Sequence, residues 1–138
     1  AAIKQSRPTA RVVGVEPVGA AKMAASRKVG RPVTLDSVTS IADGLLPVRP
    51  GDLTFAHVQA FVDELVVVDD TAIVRAVDWL LHQAKLVVEP SGAASVAAVL
   101  FGDSGCALSD SGETVAIISG GNISLADLVG LLQRYGDT

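Results

Sequence analysis

The sequence predicts an α/β fold in which a mostly parallel sheet is flanked by helices. Hydrophobic residues make up 49% of the chain and aromatic residues only 4%, so the core must consist of Val, Ala, Leu and Ile. Short β-branched runs alternate with helix-like segments, and this alternation is typical of parallel sheets covered by helices. A length of 138 residues is enough for one ordinary domain with its own core. We therefore expect residues 1–138 to form a single domain.

Three apolar runs have the composition of buried strands. The first, RVVGVEP, is closed by Pro17, and the last leads directly into a serine and two glycines. β-branched residues at this density suit the pleated surface of a sheet. The predicted strands lie at 11–17, 64–70 and 115–119, and a shorter extended piece precedes Glu89.

Helix-like patterns fill the segments between the strands and follow the last one. The first pattern is rich in alanine and stops at Gly30, a residue type that commonly ends helices. Thr54 and Thr71 stand where their hydroxyls would cap the next two helices. The predicted helices lie at 19–30, 53–63, 71–85, 92–101 and 123–135, and loops are predicted at 31–53 and 103–113.

Composition and charge argue against several classes of protein. A formal net charge of −4 without a basic face argues against nucleic acid as a partner. The single cysteine, Cys106, excludes an internal disulfide and a cysteine zinc cluster. No apolar run approaches the roughly 20 residues that cross a membrane, and no signal peptide is recognisable. We expect no membrane partner and a cytoplasmic location.

Polar or glycine-rich corners follow the extended segments, and one more lies in the long loop. Ligands of parallel sheets bind outside the carboxyl ends of the strands, so these corners are expected to converge on one site. The corners are Glu16-Pro17, IADG at 41–44, EPSG at 89–92 and SGGN at 119–122.

Two residues at these corners have competing interpretations. Ser119 stands at a strand end, where its hydroxyl could bind a flat, buried ligand, but the same turn could simply begin a helix capped by Asn122. Glu89 follows Leu86, Val87 and Val88, and a carboxylate near apolar surface requires a partner. That partner could be a ligand or another part of the protein.

Other polar residues are better explained by structure than by chemistry. Asp69 and Asp70 resemble the acidic pair of a response-regulator receiver, but they more simply favour the start of the following helix. His57 and His82 have no second ligand at metal-binding spacing. Lys28 lies late in a helix and is interpreted as a solvated cation rather than a reactive lysine.

Four segments taken in order resemble one known family. They are VVGVEP, SIADG…VRPGDLTF…VDELVVVDD, VVEPSGAASVAAVL and VAIISGGNISL. They resemble the second half of pyridoxal-phosphate enzymes of the tryptophan-synthase-β type (fold type II), in particular threonine/serine ammonia-lyases (catabolic threonine dehydratases) and serine racemase. The resemblance extends from about residue 11 to residue 132. It implies that residues 1–138 form the C-terminal part of the cofactor-binding large domain.

The resemblance implies roles for four residues in binding pyridoxal phosphate. Ser119 is expected to form a hydrogen bond with the pyridine nitrogen of the cofactor. Gly120, together with Gly121, would let the backbone lie close to the ring. Gly44 matches the glycine that lies against the cofactor, and Glu89 matches a buried glutamate near the ring.

The implied reaction is β-elimination from L-threonine or L-serine. The α-proton is removed, the β-hydroxyl leaves, and hydrolysis gives a 2-keto acid and ammonia. The family's cofactor-binding lysine lies in a Ser-x-Lys-x-Arg-Gly segment that is absent here, and Lys28 does not match it. We therefore assign no catalytic residue to this chain.

The missing lysine also implies partners for the chain. We expect it to be an inactive fragment that needs the N-terminal half of the enzyme, and a homo-oligomer once complete. The end of the chain soon after the last helix favours the short catabolic type. The alternatives are a serine racemase-type enzyme and a non-catalytic α/β module derived from the same fold.

The metal site of some family members is not expected here. Glu16 matches the family's glutamate ligand, and Ala20 could supply a carbonyl oxygen. Lys22, however, falls where serine racemase has an acidic ligand, and its ammonium would repel a divalent cation. We predict that neither Mg²⁺ nor Ca²⁺ binds at this position.

Overall fold

A computed structural model describes residues 1–102 and 112–135 of the chain. It confirms the α/β fold, with a parallel pair of strands flanked by helices. The strands are β1 (Val13–Pro17) and β2 (Glu64–Val68). The helices are α1 (Ala2–Ser6), α2 (Lys22–Val29), α3 (Asp52–Phe61), α4 (Asp70–Trp79), α5 (Pro90–Leu100) and α6 (Leu125–Tyr135). Short 3₁₀ turns occupy Val18–Ala20 and Asp43–Leu45.

The two strands run parallel in a register that pairs Val13 with Glu64 and Pro17 with Val68. Both strands therefore end at the same edge of the sheet. The chain then turns into Val18–Ala20 after β1 and into α4 after β2. This edge is where the sequence predicts a ligand site.

The core lies between β2 and the helices α4 and α5. Ile73 of α4 is fully buried, as is Ala97 of α5. The sequence of α5 places alanines and a glycine on its buried side, and these small residues let it approach α4 closely. Leu128 joins α6 to the same cluster of buried residues. The core thus holds both α5 and α6 against α4.

The predicted strand at 115–119 is absent from the described structure. Residues 112–124 carry no regular secondary structure and are attached to α5 and its N-terminus by hydrogen bonds. Glu89 N donates to Gly120 O at 3.2 Å, and Ser95 Oγ donates to Ile117 O at 2.7 Å. Val115 is 82% exposed and Ile117 is 65% exposed. A strand needs a neighbouring strand to complete its hydrogen bonds, and no such neighbour lies within 1–102 or 112–135.

The predicted starts of the helices are wrong in detail, and α5 begins at Pro90 and α6 at Leu125 rather than at 92 and 123. Helix α3 follows Gly51, and the Thr54 side chain does not cap it. Helix α4 is capped by Asp69, whose carboxylate accepts a hydrogen bond from Ala72 N at 2.7 Å, and not by Thr71. Helix α2 begins later than predicted because Val18–Ala20 form a 3₁₀ turn. The stop at Gly30 is confirmed, because Gly30 has φ +79°.

Replacing Asp69 with alanine should lower the free energy of unfolding by about 1 kcal/mol, the usual contribution of an N-cap. Thr71→Ala should change it by no more than about 0.5 kcal/mol, since Thr71 is exposed and does not cap the helix. Denaturant unfolding of the protein measures both changes. Equal losses in the two variants would contradict the capping role of Asp69.

The far end of α4 differs from a regular helix. A π-helical turn continues from Leu80 to Ala84, and Lys85 adopts φ +59° before the chain extends toward Glu89. The predicted helix at 71–85 is therefore confirmed as a helical segment, but its last turn is wider than an α-helix.

Helix α1 is tied to the strands by Asp63. The Asp63 carboxylate lies 2.8 Å from Lys4 Nζ and accepts a hydrogen bond from Val12 N at 2.7 Å. The hydrogen bond from Lys4, followed by that from Val12, holds the pKa of Asp63 below its ordinary value. This attachment is fully present above the ordinary pKa and is lost as the pH falls through the lowered pKa.

Two sequence predictions concern the surface of the protein. The predicted loop at 103–113, which contains Cys106, lies outside the described residues except for its last two positions. In the two described ranges, no helix is long and apolar enough to cross a lipid bilayer.

Candidate functional site

The start of α5 fixes the position of Glu89. Pro90 occupies the first helical position, where its missing N–H is not needed and its φ angle suits a helix. The carbonyl oxygen of Glu89 accepts hydrogen bonds from Gly92 N at 3.0 Å and Ala93 N at 3.1 Å. The Glu89 side chain therefore projects from the beginning of a helix whose other side is buried in the core.

Gly120 lies directly against Glu89. Glu89 N donates a hydrogen bond to Gly120 O at 3.2 Å. A Cβ atom added to Gly120 would stand 1.9 Å from Glu89 Oε1, and one added to Gly92 would stand 2.5 Å from Gly120 O. Position 92 requires glycine because the atoms that it meets are backbone atoms, whereas a side chain at position 120 would displace the Glu89 carboxylate.

The Glu89 carboxylate lines a cavity of about 260 Å³ at the junction of α5, α6 and the 41–45 loop. It is half-buried, and no other described residue donates a hydrogen bond to it. Asp127 lines the same cavity but accepts a hydrogen bond from Ser124 Oγ at 2.6 Å. The complete lining is Ile41, Asp43, Glu89, Pro90, Asn122, Ile123, Asp127 and Leu131.

The 41–45 loop brings Gly44 to the same helix start. Gly44 N donates a hydrogen bond to Ser91 Oγ at 2.9 Å, and a Cβ atom on Gly44 would stand 3.0 Å from that oxygen. The loop is also held at its beginning, where Asp70 accepts hydrogen bonds from Ser40 Oγ at 2.5 Å and Ile41 N at 3.2 Å. Gly44, Glu89 and Gly120 are thus brought together around the first turn of α5.

Ser119 precedes Gly120 but makes no contact of its side chain with Gly44 or Glu89 in the described hydrogen bonds. Its side chain is exposed, does not line the cavity, and makes no hydrogen bond within the described ranges. The alternative in which Asn122 caps α6 is wrong, because Ser124 Oγ accepts the hydrogen bond from Asp127 N at 3.1 Å. The helix start therefore gives no reason for a serine at position 119.

Sequence reasoning missed Asp127 and did not single out Asp43 within its corner. Both carboxylates face the cavity together with Glu89. The signal for Asp127 was a serine followed three residues later by an acidic residue, a pattern that begins helices. Its arrival at the cavity depends on how α6 packs, which the local pattern does not contain.

His57, His82 and Lys28, which are interpreted as structural, do not line this cavity. The rings of His57 and His82 contact the carbonyl oxygens of Leu53 and Asp78 on their own helices. The described ranges contain no group of three or more His, Cys, Asp or Glu residues that could hold a metal ion. Lys28 is exposed in the last turn of α2.

Lys22 lies between Glu16 and Ala20, the two residues considered as ligands of a divalent cation. Its ammonium lies 3.4 Å from Glu16 Oε1 and 3.5 Å from Ala20 O. A cation already stands beside both oxygen atoms, and this supports the expectation that Mg²⁺ and Ca²⁺ do not bind there. The expectation itself stays a prediction.

Comparison with known families identifies the fold. The family described as pyridoxal-phosphate dependent enzyme matches residues 1–120 of the chain. The chain belongs to this enzyme family. The resemblance of the four segments is thereby confirmed, and the enzymes of the family depend on pyridoxal phosphate.

Relatives within the pyridoxal-phosphate family include lyases and racemases. The chain is 43% identical over 125 residues to an L-threonine ammonia-lyase of Thermotoga maritima, covering 90% of the chain and 30% of the relative. It is 41% identical over 129 residues to a serine racemase of Oryza sativa subsp. indica, covering 92% of the chain and 38% of the relative. The chain thus spans 30% and 38% of the lengths of these two relatives.

Solved structures of the same family share the fold. The chain matches the structure of maize serine racemase with a TM-score of 0.84 and 40% identity, over 97% of the chain and 42% of that structure. It matches the processed form of threonine deaminase isoform 2 from Solanum lycopersicum with a TM-score of 0.87 and 31% identity, over 97% and 39%.

The residues at the start of α5 fit the family's cofactor. A flat aromatic ring requires backbone that can approach it closely, and glycine allows this because it has no side chain. Gly120 provides such backbone beside Glu89. The exposed hydroxyl of Ser119 and the carboxylate of Glu89 offer a hydrogen-bond donor and an acceptor without partners in the described ranges.

Proposed function

We propose that this chain forms the pyridine-nitrogen side of the cofactor site in a pyridoxal-phosphate-dependent threonine/serine ammonia-lyase. The observation that carries the proposal is the contact of Glu89 with Gly120, beside which the side chain of the preceding residue, Ser119, is exposed. Relatives named L-threonine ammonia-lyase and serine racemase support the substrate class, a hydroxy amino acid.

The proposed roles follow from the chemistry of each side chain. Bound pyridoxal phosphate supplies the electron sink for removal of the α-proton and loss of the β-hydroxyl. The Ser119 hydroxyl would form a hydrogen bond with the ring nitrogen and, being a weak acid, would leave that nitrogen largely unprotonated. A neutral hydroxyl at this position would suit β-elimination.

Glu89, Gly44 and Gly120 shape the remainder of this side of the site. The glycines allow backbone to lie against the ring, and the Glu89 carboxylate accepts a hydrogen bond or holds a proton at Oε1 or Oε2. The lysine that holds the cofactor is expected in the remaining part of the enzyme, so this chain is inactive alone. The products are a 2-keto acid and ammonia.

An exposed apolar face supports association with the remaining part of the enzyme. Val115, Ile117, Leu125 and Val129 are all more than half exposed. Large apolar side chains exposed to this extent are common at protein–protein contacts. We propose that the N-terminal half of the enzyme covers this face, and that the complete enzyme is a homo-oligomer.

The proposal is tested on the complete protein that carries this chain. It should bind pyridoxal phosphate with a visible absorbance band and convert L-threonine or L-serine to a 2-keto acid. Ser119→Ala should lower kcat/KM by about 100-fold, the usual effect of losing one well-placed hydrogen-bond donor. Ser37→Ala, at an exposed loop serine, should leave kcat/KM unchanged.

Two results would redirect the proposal. Release of D-serine from L-serine, without keto acid, would identify a racemase, the activity named for the rice relative. Failure of the complete protein to bind pyridoxal phosphate would favour a non-catalytic module built on the same fold.

A further inference from the structure

The ammonium of Lys22 is held inside the protein. Its side chain is only 13% exposed. The Nζ atom lies 2.9 Å from Leu45 O, 3.4 Å from Glu16 Oε1 and 3.5 Å from Ala20 O. An ammonium has three N–H donors, and three oxygen atoms surround this one. Such an arrangement is needed because a buried charge without partners is strongly unfavourable.

The anionic partner of Lys22 is fixed independently. The Glu16 carboxylate, 9% exposed, accepts hydrogen bonds from Met23 N and Ala24 N, both at 2.9 Å. These N–H groups belong to the first turn of α2, where backbone donors lack partners within the helix. Glu16 therefore joins the end of β1 to the start of α2. These hydrogen bonds fix the position of the carboxylate that pairs with Lys22.

The third partner of Lys22 belongs to a distant segment. Leu45 lies at the end of the 3₁₀ turn that also contains Asp43 and Gly44. Asp43 lines the cavity beside Glu89, and Gly44 contacts Ser91. The hydrogen bond to Leu45 O thus connects the scaffold of β1 and α2 to the loop at the candidate site.

The loop is held by side chains from three helices. Asp70 of α4 binds its beginning, Ser91 of α5 binds its middle, and Lys22 of α2 binds its end. Asp70 accepts a hydrogen bond from Ile41 N, and Ser91 accepts one from Gly44 N. Lys22 alone of the three brings a positive charge, which a backbone carbonyl oxygen binds more strongly than a neutral donor.

We propose that Lys22 is a positioning residue, an internal cation that fixes the 41–45 loop so that Asp43 and Gly44 lie beside the cofactor. The link to the cofactor rests on the proposed function, whereas the fixing of the loop does not. Lys22 acts through the loop and does not touch the reacting groups.

Hydrogen–deuterium exchange on the complete protein tests the proposal directly. The amides of Leu45 and Leu46 donate to Ala42 O and Asp43 O, so their exchange reports the order of the turn. Lys22→Met keeps most of the side-chain volume and removes the charge. It should speed exchange at these two amides by about tenfold while exchange in the buried part of α4 stays unchanged. Lys28→Met, on an exposed lysine of the same helix, is the control and should alter neither.

A second readout tests the link to the cofactor. Lys22→Met should weaken the binding of pyridoxal phosphate by about tenfold, and Lys22→Arg, which keeps a cation, should retain more of it. Unchanged exchange at Leu45 and Leu46 would overturn the proposal, as would faster exchange with unaltered cofactor affinity. Failure of the natural protein to bind the cofactor at all would instead overturn the proposed function.

The natural protein provides a test that needs no variant. The amides of Leu45 and Leu46 should exchange more slowly than those of the exposed residues Asp36 and Ser37, and Mg²⁺ should not slow them further. Equal exchange in the two groups would overturn the proposal. Additional protection by Mg²⁺ would also overturn it, because the oxygen atoms around Lys22 would then be open to another cation.

Discussion

Replacing Gly92 with alanine should lower the free energy of unfolding by about 3 kcal/mol, near the upper end of the usual cost of overpacking. The added Cβ atom would stand 2.5 Å from Gly120 O and 2.8 Å from Gly120 N. Both neighbours are backbone atoms, so no side-chain rotation relieves the clash. The 119–122 turn would have to move away from α5, and cofactor binding should weaken as well.

Gly130→Ala is the matched control for Gly92→Ala. Gly130 also lies within a helix, but an added Cβ atom there would meet nothing within 4 Å. The variant should gain up to about 1 kcal/mol, because alanine favours helices more than glycine does. Denaturant unfolding of the complete protein measures both variants. Similar changes at the two glycines would contradict the close packing of α5 against Gly120.

Replacing Glu89 with glutamine should lower kcat by about 100-fold or more and leave the free energy of unfolding within about 0.5 kcal/mol of the natural value. The substitution keeps the shape of the side chain and removes its charge. No described residue donates a hydrogen bond to the carboxylate, so folding gains little from its charge. Under the proposed function, the charge serves the cofactor and substrate.

Asp127→Asn provides the control within the same cavity. Asp127 is bound to Ser124 at the start of α6, so its carboxylate stabilises the helix. Its replacement should cost about 0.5–1 kcal/mol of stability, in the range of capping interactions, and leave kcat nearly unchanged. Glu89→Gln should therefore lower kcat without changing stability, whereas Asp127→Asn should lower stability without changing kcat. Steady-state kinetics and denaturant unfolding measure the two effects. Full activity of Glu89→Gln would contradict the role proposed for Glu89.

The sequence predicts the elements of this fold well where each element depends on its own residues. The helix stop at Gly30 and the two parallel strands follow from local composition. The sequence offers both Asp69 and Thr71 as caps of α4, and the prediction of Thr71 is wrong because Asp69 takes this position. The choice between them depends on where β2 ends, which local preference does not fix.

The run at 115–119 shows a different limit of sequence-based prediction. Its apolar residues have the composition of a buried strand, yet a strand also requires a hydrogen-bonding neighbour. None is present in the described ranges, and the run has no regular secondary structure. Composition reveals what a segment is suited to, whereas its pairing depends on residues elsewhere.

The candidate site could be predicted as a convergence of corners but not as a set of contacts. The order of strands and helices places 41–44, 89–92 and 119–122 near one another. The approach of Gly120 to Glu89 and the bond from Lys22 to Leu45 depend on distances between segments far apart in sequence. Such contacts follow from the packing of α2, α5 and the loop, which no single segment encodes.

The unpaired run has a consequence for the life of the protein in a cell. Residues 115–118 are uncharged, contain no proline and are rich in β-branched side chains. An exposed segment of this kind can pair with identical copies of itself or be bound by chaperones and proteases. Burial of residues 115–118 by another part of the enzyme would therefore affect the lifetime of the protein in the cell as well as its activity. Copies of the protein in which this run stays exposed would be degraded, so inactive protein would not accumulate.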